Sequence, residues 1–335
     1  MNKVNVMNKK AIKGEGSLDI LYVLRAIAVL MVCFCHFGKV ASINGNNFSK
    51  LFSYFEKYGK YGVEIFFVIS GFVIPLSLSR GKYTIENYPK FLLKRVVRLH
   101  PPYIAALILT LTIMFISYKV RHVVYPENVL SIFQSLFYLH VPSDNPVFWT
   151  LLIEAQYYLF IGLFFTLITR MPKFSILVFV PFFLLFSMTL VADYIELFKF
   201  IEYFLMGTVG YCLYSKTGDK YINNLVLVLI LSFITFKGNY VGLFFSFSTL
   251  VIILFINLKV SKAIKFLGII SYSIYLIHFP IGMKLMNFMK PRINDTSMPL
   301  LFLLALIVSI ACSWVFYILF EAYSEKLSKK IKYTQ

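Results

Sequence analysis

Charge is scarce in this sequence. Asp, Glu, Lys and Arg make up 14% of its 335 residues, where a soluble domain carries about 25%. That scarcity, with 59% hydrophobic residues and a mean hydropathy of +0.77, excludes an ordinary soluble domain and predicts an integral membrane protein. Acidic residues are scarcest, 15 against 33 Lys and Arg, giving a net charge of +18. In so apolar a chain the positive-inside rule explains this excess, and no nucleic-acid partner is expected. There are only four cysteines (Cys33, Cys35, Cys212 and Cys312), all in apolar runs. Buried thiols are expected there, and neither a disulfide nor a metal site. The sequence also lacks a phosphate-binding Gly-rich loop, a paired-His metal motif and a G-x-S-x-G elbow, so no bound cofactor is expected. There is no Gly/Ser or Pro-rich linker, no short-period repeat and no cleavable signal pattern, because the first apolar run is too long for one.

What is present is apolar runs. About 20 residues cross a bilayer, and on that measure ten spans are predicted: 18–40, 61–80, 99–119, 146–169, 174–192, 195–214, 221–236, 239–258, 264–288 and 298–320. The seventh is short. The expected fold class is therefore all-α, a polytopic bundle of about ten transmembrane helices. One set of connecting segments (the N-terminal tail, 80–98, 170–173, 216–220, 259–265 and the C-terminal tail) holds 21 Lys and Arg. The opposite set holds 11. The bias places both termini in the cytoplasm. The chain then divides into a cytoplasmic tail (1–17), a transmembrane domain (18–320) and a basic cytoplasmic tail (321–335). The longest segments outside the predicted spans are the outer stretches 41–60 and 120–145 and the inner stretch 81–98, and functional loops are expected among them.

The first span holds two residues that hydrocarbon rejects, Arg25 and His36. A charge within a membrane segment costs at least about 2.5–3.5 kcal/mol. Eleven residues apart, the two lie on one helical face, roughly 16 Å along the axis. A stripe of this kind faces protein or water. On the assigned orientation Glu64, Glu154, Glu202 and His278 fall with His36 in the outer half, and Ser70 lies deeper. Such groups mark function by default, although pairing as structural glue (Glu64 with His36 or Arg25) is the alternative. His36 is the candidate general base, since imidazole titrates near operating pH. Arg25, whose fork stays charged, suits a phosphate or an oxyanion. In the inner stretch 81–98, Lys90, Lys94, Arg95 and Arg98 are expected on an interfacial helix stopped by Pro101 and Pro102. This cluster suits lipid headgroups or the phosphates of a nucleotide-linked donor, or serves as a plain topology signal. His100, His122 and His140 are expected at the interface.

In this order, the residues resemble the membrane-bound acyltransferase family 3. The motifs are Arg25-x10-His36, GVEIFFVISGF (Gly62 to Phe72), Arg95-x-x-Arg98 followed by HPPY, WTLLIE (Trp149 to Glu154) and SYSIYLIH (Ser271 to His278). Two positions depart from the pattern. Tyr22 stands where an Asp usually precedes the Arg, with Asp19 off that face, and Ala155 stands where a second Glu usually follows Glu154. The resemblance implies an O-acyltransferase of the bacterial cytoplasmic membrane, acting on lipopolysaccharide, peptidoglycan or exopolysaccharide. It implies an acyl-CoA co-substrate, commonly acetyl-CoA, held near Lys94, Arg95 and Arg98, and an acceptor hydroxyl met near His36. Arg25, Glu64 and Glu154 are then the further catalytic candidates, with Ser70, Trp149, Ser271, Tyr275 and His278 in support. Many relatives carry a C-terminal esterase-like domain, and a form without it is expected here. N-acylation, or a succinyl in place of an acetyl group, stays open. So does the rival class, a transporter or flippase of an acyl donor or glycolipid, and more distantly a structural or regulatory membrane protein.

Overall fold

The computed structural model describes residues 16–42 and 48–333, with side chains from Asp19 onward. Most of the N-terminal tail and the last two residues of the C-terminal tail lie outside the described residues. The described chain is helical, with no strand among the described residues. In order, its main elements are α1 (Gly16–Ala41), α2 (Ser49–Gly59), α3 (Gly62–Arg80), α4 (Tyr88–Val120), α5 (Val129–Leu136) and α6 (Trp149–Arg170). These are followed by α7 (Val180–Phe186), α8 (Ile201–Ser215), α9 (Lys220–Phe236), α10 (Tyr240–Phe255), α11 (Lys262–Ile269), α12 (Ser271–His278), α13 (Lys284–Met289), α14 (Met298–Phe316) and α15 (Ala322–Lys330).

Five stretches are long and apolar enough to cross a membrane: Asp19–Ala41, Ser49–Arg80, Ile85–Val120, Pro146–Arg170 and Asp295–Lys330. Lys262–Ile269 and Ser271–Arg292, bent by 55°, make a sixth if they form one broken span. Pro172–Phe186, Lys220–Phe236 and Tyr240–Phe255 are apolar but shorter, and α8 has 15 residues, nearly all buried.

Three boundaries differ from the sequence reading. The stretch 41–60, expected outside the spans, contains α2. The helix expected to stop at Pro101 and Pro102 runs through them, because α4 is continuous from Tyr88 to Val120. Proline removes helical hydrogen bonds, here those to the Val97 and Arg98 carbonyls, but is tolerated in membrane helices packed against neighbours; the same turn is tied to α12, where the Tyr272 hydroxyl donates to the adjacent Leu99 carbonyl (2.9 Å). Finally, the last helical stretch does not end at 320. It passes through a π-helical turn at Tyr317–Glu321 into α15.

The helices pack as two apolar groups that meet on α1. Ile20, Leu21, Leu24 and Ala28 join a core built mainly from α3, α6, α8, α9 and α10. Val29, Val32, Cys33 and Phe37 join a second core built from α4, α12 and α14. Within the first, α3 and α8 touch backbone to backbone. A Cβ on Gly71 would lie 2.2 Å from the Phe204 carbonyl oxygen, and one on Gly207 2.2 Å from that of Val68. Small residues allow such crossings in membranes. Gly71→Val is therefore expected to lower the melting temperature in detergent by several degrees, since overpacking costs about 1–3 kcal/mol.

The connection from α4 to α6 is held by one carboxylate. Glu127 accepts from the Ser143 N–H and hydroxyl (3.0 Å each), from Ser131 Oγ (2.8 Å), and pairs with His140 Nε2 (2.7 Å). Burial raises the Glu127 carboxyl, but these donors outweigh it and hold it below the ordinary value. A carboxyl lowered on folding stabilises the fold above its unfolded value of about 4.3, and that stabilisation is lost as pH falls through the lower folded value. Glu127→Gln is thus expected to melt earlier than wild type at neutral pH, with the gap closing under acid conditions. Thermal unfolding followed across that range checks this.

Candidate active site

Where the two cores meet is a cavity of about 290 Å3. Its walls come from α1, α3, α4, α6, α12 and the π-helical turn after α14. Three guanidiniums line it (Arg25, Arg95 and Arg98), against two carboxylates, Glu154 and Glu321. An excess of positive charge in a partly open cavity suits a phosphorylated ligand or a developing oxyanion.

Each arginine is set differently. Arg25 Nε donates to Ser271 Oγ (3.0 Å), and that hydroxyl donates on to the Gly268 carbonyl (2.9 Å). The bend between α11 and α12 makes this contact possible. There Gly268 lies against α1, and a Cβ on it would come 2.4 Å from the Tyr22 carbonyl oxygen. Arg95 is 9% exposed and lies over the rings of Phe91 and Tyr158, each at 5.4 Å, while its Nε has no hydrogen-bond partner. Arg98 pairs with Glu325 at 3.5 Å across to α15. Lys94 is outside the cavity, with its Nζ 5.2 Å from the Tyr333 ring centroid. The basic cluster is therefore split: Arg95 and Arg98 face inward, and Lys90 is exposed.

Glu154 lies across from the arginines on α6. The Tyr158 hydroxyl donates to it, and Ser70 Oγ of α3 lies at 3.5 Å. Glu321 accepts from the Ser273 N–H (3.1 Å) and Ser273 Oγ (2.5 Å). Tyr275 completes the wall, donating to the Val147 carbonyl (2.8 Å) and pairing with Thr150 Oγ1 (2.6 Å).

His36 is not part of the cavity wall. It is partly buried further along α1, its ring 5.4 Å from His278 and 5.2 Å from Phe279. His278 is fully buried, and its ring centroid lies 6.1 Å from that of Tyr275, which does line the cavity. The Nδ1 of His278 faces only carbonyl oxygens, those of Ile274 (3.0 Å) and Tyr275 (2.9 Å), so Nδ1 carries the proton and Nε2 the lone pair. Arg25 and His36 thus meet the same short helix: Arg25 meets α12 at its first residue and His36 at its last.

Of the residues singled out from sequence, Arg25, Ser70, Arg95, Arg98, Glu154, Ser271 and Tyr275 come together around the cavity. His36 and His278 form the adjoining pair. Glu64 is buried in the first turn of α3, and neither it nor Trp149, which is exposed with its ring against Phe200 (5.1 Å), lines the cavity. Glu202 is engaged elsewhere, with Lys237 at 2.6 Å. Asp19 pairs with Lys265 at 3.0 Å and leaves Arg25 alone. The sequence reading missed Glu321, Tyr158 and Tyr272. A signal for Glu321 was there: one carboxylate closing the apolar run WVFYILFEAY.

Residues 17–318 match a protein family described as the acyltransferase domain. No curated protein and no solved structure matches the chain.

Proposed function

Because the chain belongs to acyltransferase family 3, which it matches over residues 17–318, we propose that it moves an acyl group from a cytoplasmic acyl-CoA to a hydroxyl of a surface or lipid-linked glycan. In this proposal the bundle crosses the bacterial cytoplasmic membrane ten times, with both termini in the cytoplasm. The observation that carries it is the seam between α1 and α12. At one end Arg25 joins a cavity rich in arginine; at the other, beyond Tyr275, stands the His36–His278 pair.

Arg95 and Arg98, with Lys94 behind them, hold the phosphates of the donor. The pantetheine arm runs from there past Arg25 along the seam, so that the thioester lies at the Tyr275 end of the cavity, towards His36. His36, which is less buried than His278, takes the proton of the acceptor hydroxyl. The hydroxyl oxygen bonds to the thioester carbonyl carbon at the His36 end of the seam, while Arg25, roughly 16 Å back along α1, stays with the phosphates of the donor. The C–S bond then breaks and CoA leaves as the thiol, with the proton that His36 accepted. Glu154, held by Tyr158 and Ser70, balances the guanidinium charge.

Purified protein given acyl-labelled CoA and a glycan acceptor tests this proposal. Label on the glycan, matched by released CoA thiol, is expected. Label that stays on intact acyl-CoA at every protein concentration would favour a transporter.

A further inference from the structure

A second cavity, of about 220 Å3, lies between α4 and α6 behind the first. Six residues line both: Arg95, Leu99, Leu151, Glu154, Tyr158 and Tyr272. The two spaces therefore share a wall, and that wall carries the groups assigned to the donor. The remaining lining changes character. It is Leu92, Val96, Ala155 and Leu159, with the hydrogen-bonded pair His100–Tyr138 (3.0 Å) as its polar members. Val96 and Leu159 are 54% and 51% exposed on two of the helices long and apolar enough to cross the membrane. On that side the second cavity is open, with apolar side chains at its rim.

An apolar space of this kind does not hold water well. It suits a chain whose polar end is anchored next door. An acetyl group whose thioester sits at the Tyr275 end of the first cavity has no carbon left to reach the second, whose nearest shared residues are Leu151 and Tyr272. A longer acyl chain does, and each methylene it buries raises affinity roughly fourfold. Ala155 has the smallest side chain on the lining. It stands on α6 directly after Glu154, where a larger side chain would occupy the space.

We propose that this second cavity is an acyl-chain pocket, so that the preferred donors are CoA thioesters of aliphatic acids longer than acetyl, with Ala155 setting the permitted length. The proposal rests on the group-transfer reading above and names its donor class.

The test is binding without acceptor. Full-length protein in phosphatidylethanolamine–phosphatidylglycerol nanodiscs is titrated calorimetrically with acetyl-, butyryl- and hexanoyl-CoA. For wild type, affinity is expected to climb with each added methylene. For Ala155→Phe, the ratio of hexanoyl- to acetyl-CoA affinity is expected to fall towards one. Ala155→Leu, a milder filling, should give an intermediate ratio if the larger variant does not fold. Equal affinities for acetyl- and hexanoyl-CoA in wild type would overturn the proposal. So would a chain-length series that Ala155→Leu and Ala155→Phe leave unchanged, which would mean that a bilayer lipid alone fills the groove. Glycan labelling is scored separately. A chain-length preference without transfer to glycan would preserve the pocket and remove the group-transfer reading, whereas transfer without a preference would do the reverse.

Discussion

Membranes holding His36→Ala at wild-type abundance are expected to acylate glycan at least about a hundredfold more slowly than wild type, the range lost with a general base. The expectation comes from comparing the imidazoles. His140 is tied to Glu127 and His100 to Tyr138, both at the α4–α6 connection or near it. His278 is fully buried with Nδ1 committed to its own helix. Of the His36–His278 pair only His36 keeps some exposure, and so can meet an acceptor. The loss should fall on kcat, with KM for acyl-CoA little changed, because the arginines assigned to the donor are untouched. His36→Gln keeps the bulk against Phe279 and His278 and should be as slow. Recovery of activity in the glutamine variant would assign His36 to packing.

Arg25→Lys is expected to be nearly as damaging, by up to about a hundredfold in kcat/KM with the loss mainly in KM for acyl-CoA, the scale of losing forked charge-assisted bonds to a phosphate. The charge survives in this variant, so electrostatic attraction of the donor should persist. What is lost is the planar fork, whose Nε is aimed at Ser271 while the remaining nitrogens are left to face the cavity. Ser271→Ala leaves the fork but not its anchor, and a loss of about tenfold or less is expected. The order Arg25→Lys worse than Ser271→Ala, at similar melting temperatures, separates a chemical role for Arg25 from a structural one. The opposite order would make the Arg25–Ser271 bond a fastening between α1 and α12.

The sequence made the helices legible because apolar runs are a local property. It made Arg25 and His36 legible because a charge in such a run is conspicuous. It could not show that both meet α12, since the Arg25–Ser271 contact joins residues 246 apart. The number of crossings was no easier to read. In the sequence, α8 looks like a span, yet with 15 residues nearly all buried it reads equally well as an interior helix. The two prolines after Leu99 signalled a stop that packing overrides, as Tyr272 supports that turn from another helix. Glu321 was overlooked for a related reason. An apolar run gives no sign that its helix continues, through a π-helical turn, past the point where hydropathy falls.

In the proposed reaction one site takes an acyl group from a CoA thioester on one side of the membrane and hands it to an acceptor hydroxyl at His36. Vesicles reconstituted with the full chain, loaded with glycan acceptor and supplied outside with acyl-labelled CoA, test it most directly. The expected result is label on the enclosed glycan, free CoA thiol remaining outside, and neither with His36→Ala. Intact labelled acyl-CoA inside the vesicles, with unlabelled glycan, would contradict it.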